Sequence, residues 1–363
     1  MTRVLLLAEQ LRREVPGGIG TYVRGLVQGL RDLDDPDVEV TLFASRPPAA
    51  GLDELAQLGF PLRTSRLSNP LLNRAWDSGL LAAPKGFDVV HATSLAHPRS
   101  GAALGVTVHD VAWREVPETF PRRGRRWHES ALRRAMARAQ LVVVPSHRTA
   151  AAVAGAVGGR DDRVRVVPEG CDHLPPPDWA SAETLLHRLG VVGPFVLSVS
   201  TLEPRKNLRR LVSAYRQARA RLPERWPLVV VGPSGWGESL APEPTVLLAG
   251  PVEPATLNAL YSHAQARCLV YVPVVEGFGL PPVEAMAAGL PVVASPLPST
   301  AKSEATIEVD PSDTRAITAA IVTAASNDER RAQLISAGHR HAARLTWVEA
   351  ARSHVELWRE VAG

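Results

Sequence analysis

Apolar positions in this chain come in short, nearly unbroken runs separated by longer stretches in which polar residues return at helical spacing. Residues 3–8, 38–44, 88–91, 106–109, 141–144 and 164–167 are rich in valine and leucine and too short for helices. They read as strands buried on both faces. A helix is expected between the first two, over residues 19–33, and the continued alternation predicts a doubly wound parallel sheet. A proline-rich break, Leu-Pro-Pro-Pro-Asp at 174–178, reads as a linker. Beyond it the alternation restarts, with strands expected at 195–200, 228–231, 246–248, 268–272, 291–294 and 307–309 and helices near 208–221, 254–263 and 281–288. The pattern therefore predicts two similar α/β domains with a cleft between them, residues 1–175 and 176–345. A last segment, 346–363, carries a helix expected to cross back to the first domain.

Composition changes this picture little. A chain of 363 residues is long for one core, and 45% hydrophobic content is ordinary for a globular protein. Cys171 and Cys268 are far apart, without a CxxC or histidine-rich neighbourhood, and are expected to be structural, in keeping with a reducing cytoplasm. The apolar start is too short for a signal peptide, and no run approaches a membrane span, so any membrane contact is expected to be peripheral. The net charge of +4 is unevenly spread: eight arginines lie between Arg114 and Arg138 against Glu115, Glu118 and Glu129. Most fall on an expected helix at 124–139, which reads as a solvated face or as a surface for anionic lipid or a polyanionic acceptor. Nucleic acid is not expected, because only Trp113, Phe120 and Trp127 lie near the basic run to supply stacking.

Candidate chemistry concentrates at two strand-to-helix crossings of the second half, where open α/β sheets take their ligands. In Glu276-Gly-Phe-Gly-Leu-Pro-Pro-Val-Glu284, two carboxylates flank a glycine turn that opens a helix, with Pro281 and Pro282 in its first turn. Gly277 and Gly279 allow close backbone approach, and the amides of Gly277, Phe278, Gly279 and Leu280, aided by the helix dipole, suit an anionic or hydroxyl-rich guest. Glu284, one turn inside the helix, can accept from two neighbouring hydroxyls such as those of a ribose; Glu276 faces another part of the guest. In Leu202-Glu-Pro-Arg-Lys-Asn207, Arg205 and Lys206 form a cationic pair, and Asn207 is expected to cap the next helix. Such a pair stabilises a departing diphosphate without a metal.

Weaker candidates lie in the first half. Gly17-Gly18-Ile-Gly20 opens the first helix, where amides could meet a phosphate, but it lacks the spacing of a dinucleotide site. His109 ends a strand at the mouth of the expected cleft, placed to donate to sugar hydroxyls or shuttle a proton, and His91 is a lesser candidate. The acidic run Asp32-Leu-Asp-Asp-Pro-Asp37 resembles a metal cluster, yet it precedes a strand and so sits at the wrong sheet edge. It reads as a solvated loop, leaving no metal ligands expected.

Taken together, the glycine loop, Thr107 to Asp110 (TVHD), Val167 to Asp172 (VPEGCD), LEPRKN and EGFGLPPVEAMAAGLPVVAS make the chain resemble the retaining glycosyltransferases of family 4, with the two-domain architecture called GT-B. The resemblance spans nearly the whole chain and implies two Rossmann-like doubly wound domains facing a central cleft. It implies that Arg205 and Lys206 hold the diphosphate of a nucleoside-diphosphate sugar, that Glu284 binds the ribose, and that Glu276 with the amides of Gly277 to Leu280 holds the sugar. Gly18 would lie near the phosphates and His109 beside the reacting sugar. The implied reaction moves a hexose, mannose or glucose, to a glycan, glycolipid or small glycoside, with no cofactor beyond the donor. A sugar-nucleotide epimerase of the same plan and a non-catalytic polyanion binder are the competing readings. Two departures stand out: Pro273-Val-Val275 where the family often has Pro-Ser, and Leu297-Pro-Ser299 where it often has Leu-Pro-Glu.

Overall fold

A computed structural model describes residues 1–47, 53–237, 240, 243–301 and 303–363. These form two compact units, Met1–His173 with Thr346–Gly363, and Leu174–Leu345.

In the first unit the apolar runs become β1 (Thr2–Leu7), β2 (Val38–Ala44), β3 (Leu62–Thr64), β4 (Val89–Ala92), β5 (Ala103–Thr107), β6 (Leu141–Val144) and β7 (Val164–Val166). All pair in parallel, in the order β3-β2-β1-β4-β5-β6-β7. Strand order reverses between β1 and β4, which places the first ligand crevice beyond their carboxyl ends. Residues 60–73, for which the apolar pattern predicts no element, hold β3 and the start of the helix Asn69–Asp77. The pattern concealed them because β3 is a three-residue edge strand with two residues exposed, and that helix buries only Leu72 and Trp76.

The C-terminal helix Trp347–Ala362 packs along the first helix, Gly17–Leu33. Gly25 and Gly29 make this approach feasible, since a Cβ at either would stand 2.0 Å from the Trp347 ring or 2.1 Å from its carbonyl. Trp347 and Trp358 are both fully buried there, and losing one such ring to alanine costs roughly 3–5 kcal/mol. The Asp32 to Asp37 stretch is more than a solvated loop: Asp35 accepts from Arg359 at 2.6 Å and ties the end of this helix to the sheet.

The second unit carries β8 (Phe195–Val199), β9 (Leu228–Val231), β10 (Val246–Gly250), β11 (Ala266–Tyr271), β12 (Val292–Ala294) and β13 (Thr306–Glu308). These are also parallel, in the order β10-β9-β8-β11-β12-β13, and reverse between β8 and β11. Both units are thus Rossmann-like, as the alternation predicts. Cys268 lies at the centre of β11, where burial pushes its thiol up to about 12; Cys171 is also buried, and neither forms a disulfide.

Candidate active site

The Arg205 and Glu276 motifs leave the carboxyl ends of β8 and β11, the two strands that flank the reversal in the second sheet. That topology, more than their separation in sequence, is why they meet. Arg205 carbonyl accepts from Val274 N at 3.0 Å, and its guanidinium donates to Val275 O at 3.1 Å. Its charge lies against Glu203 at 2.8 Å and Glu276 at 3.1 Å. Lys206 pairs with Glu276 and donates to Tyr271 OH at 3.0 Å; Tyr271 in turn donates to Glu276 at 2.9 Å. Side-chain exposure is only 12% for Arg205 and Lys206 and 9% for Glu276, so the charges face one another in a low dielectric. Burial by itself would push the Glu276 carboxyl up, but Arg205 and Lys206 outweigh it and hold the group down to about 2. The structure thus brings together three residues that the sequence assigns to diphosphate and sugar, and adds Glu203 and Tyr271.

The glycine turn is locked beside this cluster. Gly279 has φ +101°, a left-handed conformation suited to glycine, and stands immediately before the helix Leu280–Ala287, with Pro281 and Pro282 in the first turn. Ser299, the residue that departs from the family pattern, is buried and donates through Oγ to Gly279 O at 2.7 Å and through its amide to Phe278 O at 3.1 Å. It braces the turn. Glu284 is buried in the helix and accepts from Tyr261 OH at 2.9 Å. Asn207 does not cap the following helix as expected. It adopts φ +59° and spends its side-chain amide on Val272 O and Pro311 O, at 3.0 and 2.8 Å, fixing the Arg205–Lys206 turn to the neighbouring crossing.

In the first unit, Gly18 is exposed at the start of its helix, with open space where a Cβ would stand, while Gly20 admits no side chain because Pro16 is 2.3 Å away. His109 follows β5. Its Nε2 donates to the Thr93 carbonyl at 2.9 Å, Nδ1 faces Glu169 at 3.5 Å, and Tyr22 meets the ring edge-on at 4.7 Å. Burial opposes a charge on the imidazole, yet Glu169 and the Thr93 carbonyl prevail and raise its pKa. Glu169 is a functional candidate that sequence reasoning missed; VPEGCD marks the residue but gives no hint of a partner sixty positions upstream.

His91 is not a site residue. It is fully buried and linked in a directed chain: Trp358 Nε1 donates to its Nδ1 at 3.1 Å, and its Nε2 donates to Thr107 at 2.9 Å. Thr107 bonds Tyr22 OH at 3.0 Å, which bonds His354 Nε2 at 2.9 Å, while His354 Nδ1 donates to Ala350 O at 2.7 Å. Tryptophan can only donate, so His91 Nδ1 carries no proton and that ring is neutral. Burial drives His91 well below its ordinary pKa and His354 down to about 4.

The basic helix spans Arg122–Arg138 and carries seven arginines, of which Arg133 shares Glu129 with Arg114 and Arg134 pairs with Asp77. No helix among the described residues is long and apolar enough to cross a membrane, and none of their His, Cys, Asp and Glu side chains gather in threes or more to hold a metal.

Paired cations, buried carboxylates and a helix N-terminus at the reversal of a parallel sheet define an α/β enzyme site suited to an anionic, hydroxylated ligand. Comparison with known proteins narrows the class. The family described as Glycosyltransferase Family 4 matches residues 16–173, and that described as Glycosyl transferases group 1 matches residues 190–341. The chain belongs to the family 4 glycosyltransferases of the GT-B type. It is 29% identical to the O-antigen chain mannosyltransferase B of Escherichia coli over 71% of each chain. It is 27% identical to a D-inositol 3-phosphate glycosyltransferase of Corynebacterium urealyticum, over 95% of this chain and 91% of the relative. Two solved structures share the fold: HepE of Anabaena, in complex with UDP and glucose, at 21% identity and TM-score 0.71 over 99% of this chain and all of the other, and sucrose-phosphate synthase of Thermosynechococcus elongatus, also at 21%, at TM-score 0.73 over 99% of each.

Proposed function

We propose that this enzyme moves a hexose, mannose or glucose, from a nucleoside-diphosphate sugar to a saccharide or lipid-linked acceptor of the cell envelope, with retention of anomeric configuration. The observation that carries this reading is the contact set of Arg205, Lys206 and Glu276 beside the turn from Gly277 to Leu280. The mannosyltransferase among the relatives and the UDP and glucose in the HepE complex support the donor class.

Without a donor, Glu276 and Glu203 neutralise the cations and keep them in place. When the donor binds, Glu276 exchanges ion pairs for sugar hydroxyls, and the released charges of Arg205 and Lys206 meet the diphosphate. As the bond from the anomeric carbon to the phosphate oxygen breaks, charge grows on that oxygen, so the cations stabilise the transition state more than the ground state. The acceptor oxygen bonds to the same face of the carbon, and its proton passes to the departing phosphate. No metal is needed in this scheme. Glu284 holds the ribose, Gly18 approaches the phosphates, and His109 serves the reacting sugar. The Arg122–Arg138 helix makes a peripheral contact with anionic membrane.

The test is turnover of purified protein with a panel of UDP-, GDP- and ADP-sugars, with and without glycan acceptors. Nucleoside diphosphate released together with a glycosylated acceptor is the expected result. An altered sugar nucleotide formed with no acceptor present would replace this reading with epimerisation.

A further inference from the structure

Part of the charge that the basic helix leaves without a carboxylate is gathered in one place. An open, solvent-facing cavity of about 350 Å³ lies between the helix Ala112–Glu115 and the first turns of Arg122–Arg138, lined by Trp113, Arg114, Arg122, Arg125, Arg126 and Glu129. Its single carboxylate is already committed, because Glu129 accepts from Arg114 and from Arg133. Among the described residues, Arg122, Arg125 and Arg126 have no carboxylate within ion-pair distance, and the Arg125 Nε is buried without a hydrogen-bond partner. Trp113 is buried in the cavity wall and stacked on His128 at 4.8 Å, and burial lowers the His128 pKa. Three guanidiniums without carboxylate partners on one depression suit a multiply charged anion, because a planar guanidinium donates in pairs to phosphate oxygens.

We propose that this cavity binds a phosphate monoester or diester. The helix bearing Trp113 begins just after His109 and Asp110, so the cavity shares the carboxyl edge of the first sheet with His109. Building on the transferase reading, the phosphate is the anionic group of the acceptor, and the cavity selects acceptors that carry one. A soluble sugar phosphate and a phospholipid headgroup offer the same chemistry.

The test compares wild type with Arg122→Gln/Arg125→Gln/Arg126→Gln, with nucleoside diphosphate at saturation so that Arg205 and Lys206 are occupied. Calorimetry with inorganic phosphate and sedimentation with phosphatidylglycerol or phosphatidylcholine vesicles are the readouts. Wild type is expected to bind phosphate, and the triple variant to lose at least about tenfold in affinity, the scale of a lost charge-assisted hydrogen bond. Sedimentation with phosphatidylglycerol alone, competed by phosphate and lost in the variant, assigns the headgroup; phosphate binding without sedimentation assigns a soluble ester. Equal phosphate affinity in the two proteins, or none in wild type, overturns the site. If the triple variant does not fold, Arg126→Gln, whose side chain is exposed, must still weaken phosphate binding about threefold. Failure of nucleoside diphosphate to bind wild type would count against the transferase reading, whereas phosphate binding reports on the cavity alone.

Discussion

Glu169 Oε1 stands 3.5 Å from His109 Nδ1 while the opposite ring nitrogen donates to the Thr93 carbonyl, so a neutral imidazole would turn a lone pair toward a carboxylate. The protonated ring satisfies both contacts. Glu169 and the Thr93 carbonyl therefore favour the charged form of His109 at the end of β5.

Glu169→Gln is expected to lower the His109 pKa, read from its Cε1 proton resonance. The sign for stability follows from the raised folded value: the pair stabilises fully below about pH 6.5, the unfolded value, and that contribution fades as pH rises through the folded pKa. An unmoved midpoint in the variant would show that Glu169 does not hold the charge. His109→Ala should leave nucleoside diphosphate affinity intact and lower turnover, and full turnover would return His109 to a structural role.

Buried neutral histidines act in the opposite direction. Unfolding lets His354 take a proton that the native state refuses, so stability should fall as pH drops from about 6.5 toward 4, by about 3 kcal/mol for this group. His91 adds to the same slope. Urea melts of wild type and His354→Asn between pH 7 and 4.5 check this; equal acid sensitivity in both would remove His354 from the account.

The carboxylates of the glycine turn should separate by role. Glu276→Gln removes the counter-charge of Arg205 and Lys206, so nucleoside diphosphate binding should not weaken, while transfer should drop about a hundredfold. Glu284→Ala should weaken nucleoside diphosphate binding roughly tenfold, with Tyr261→Phe as the control for the lost internal bond. Calorimetry decides, and equal losses of affinity in the two glutamate variants would mean the roles are divided wrongly.

Chelation should change little, because fixed cations supply the charge that a metal would. Activity abolished by EDTA and restored by magnesium or manganese would contradict that argument.

The sheets were legible because buried parallel strands are continuous apolar runs, and the donor motifs because they sit where such strands end. Edge strand β3 was not, since a strand exposed along most of its length carries no apolar run. Asn207 misled for a related reason: asparagine before a helix usually caps it, but here a left-handed backbone sends the amide to the next crossing. Glu169, Glu203, Tyr261 and Tyr271 were hidden because their significance lies in partners that only the folded chain supplies. Ser299 stood out as a departure, yet its bond to Gly279 O could not be read from a string.

The central claim is that Arg205 and Lys206 hold the donor diphosphate. Its most direct test is calorimetric titration of UDP, GDP and ADP into wild type and into Arg205→Ala/Lys206→Ala, with circular dichroism to verify the fold. Wild type should bind at least one of the three, and the double variant, correctly folded, should lose at least about a hundredfold in affinity, some 2.7 kcal/mol. Undiminished binding in the folded double variant would contradict the claim.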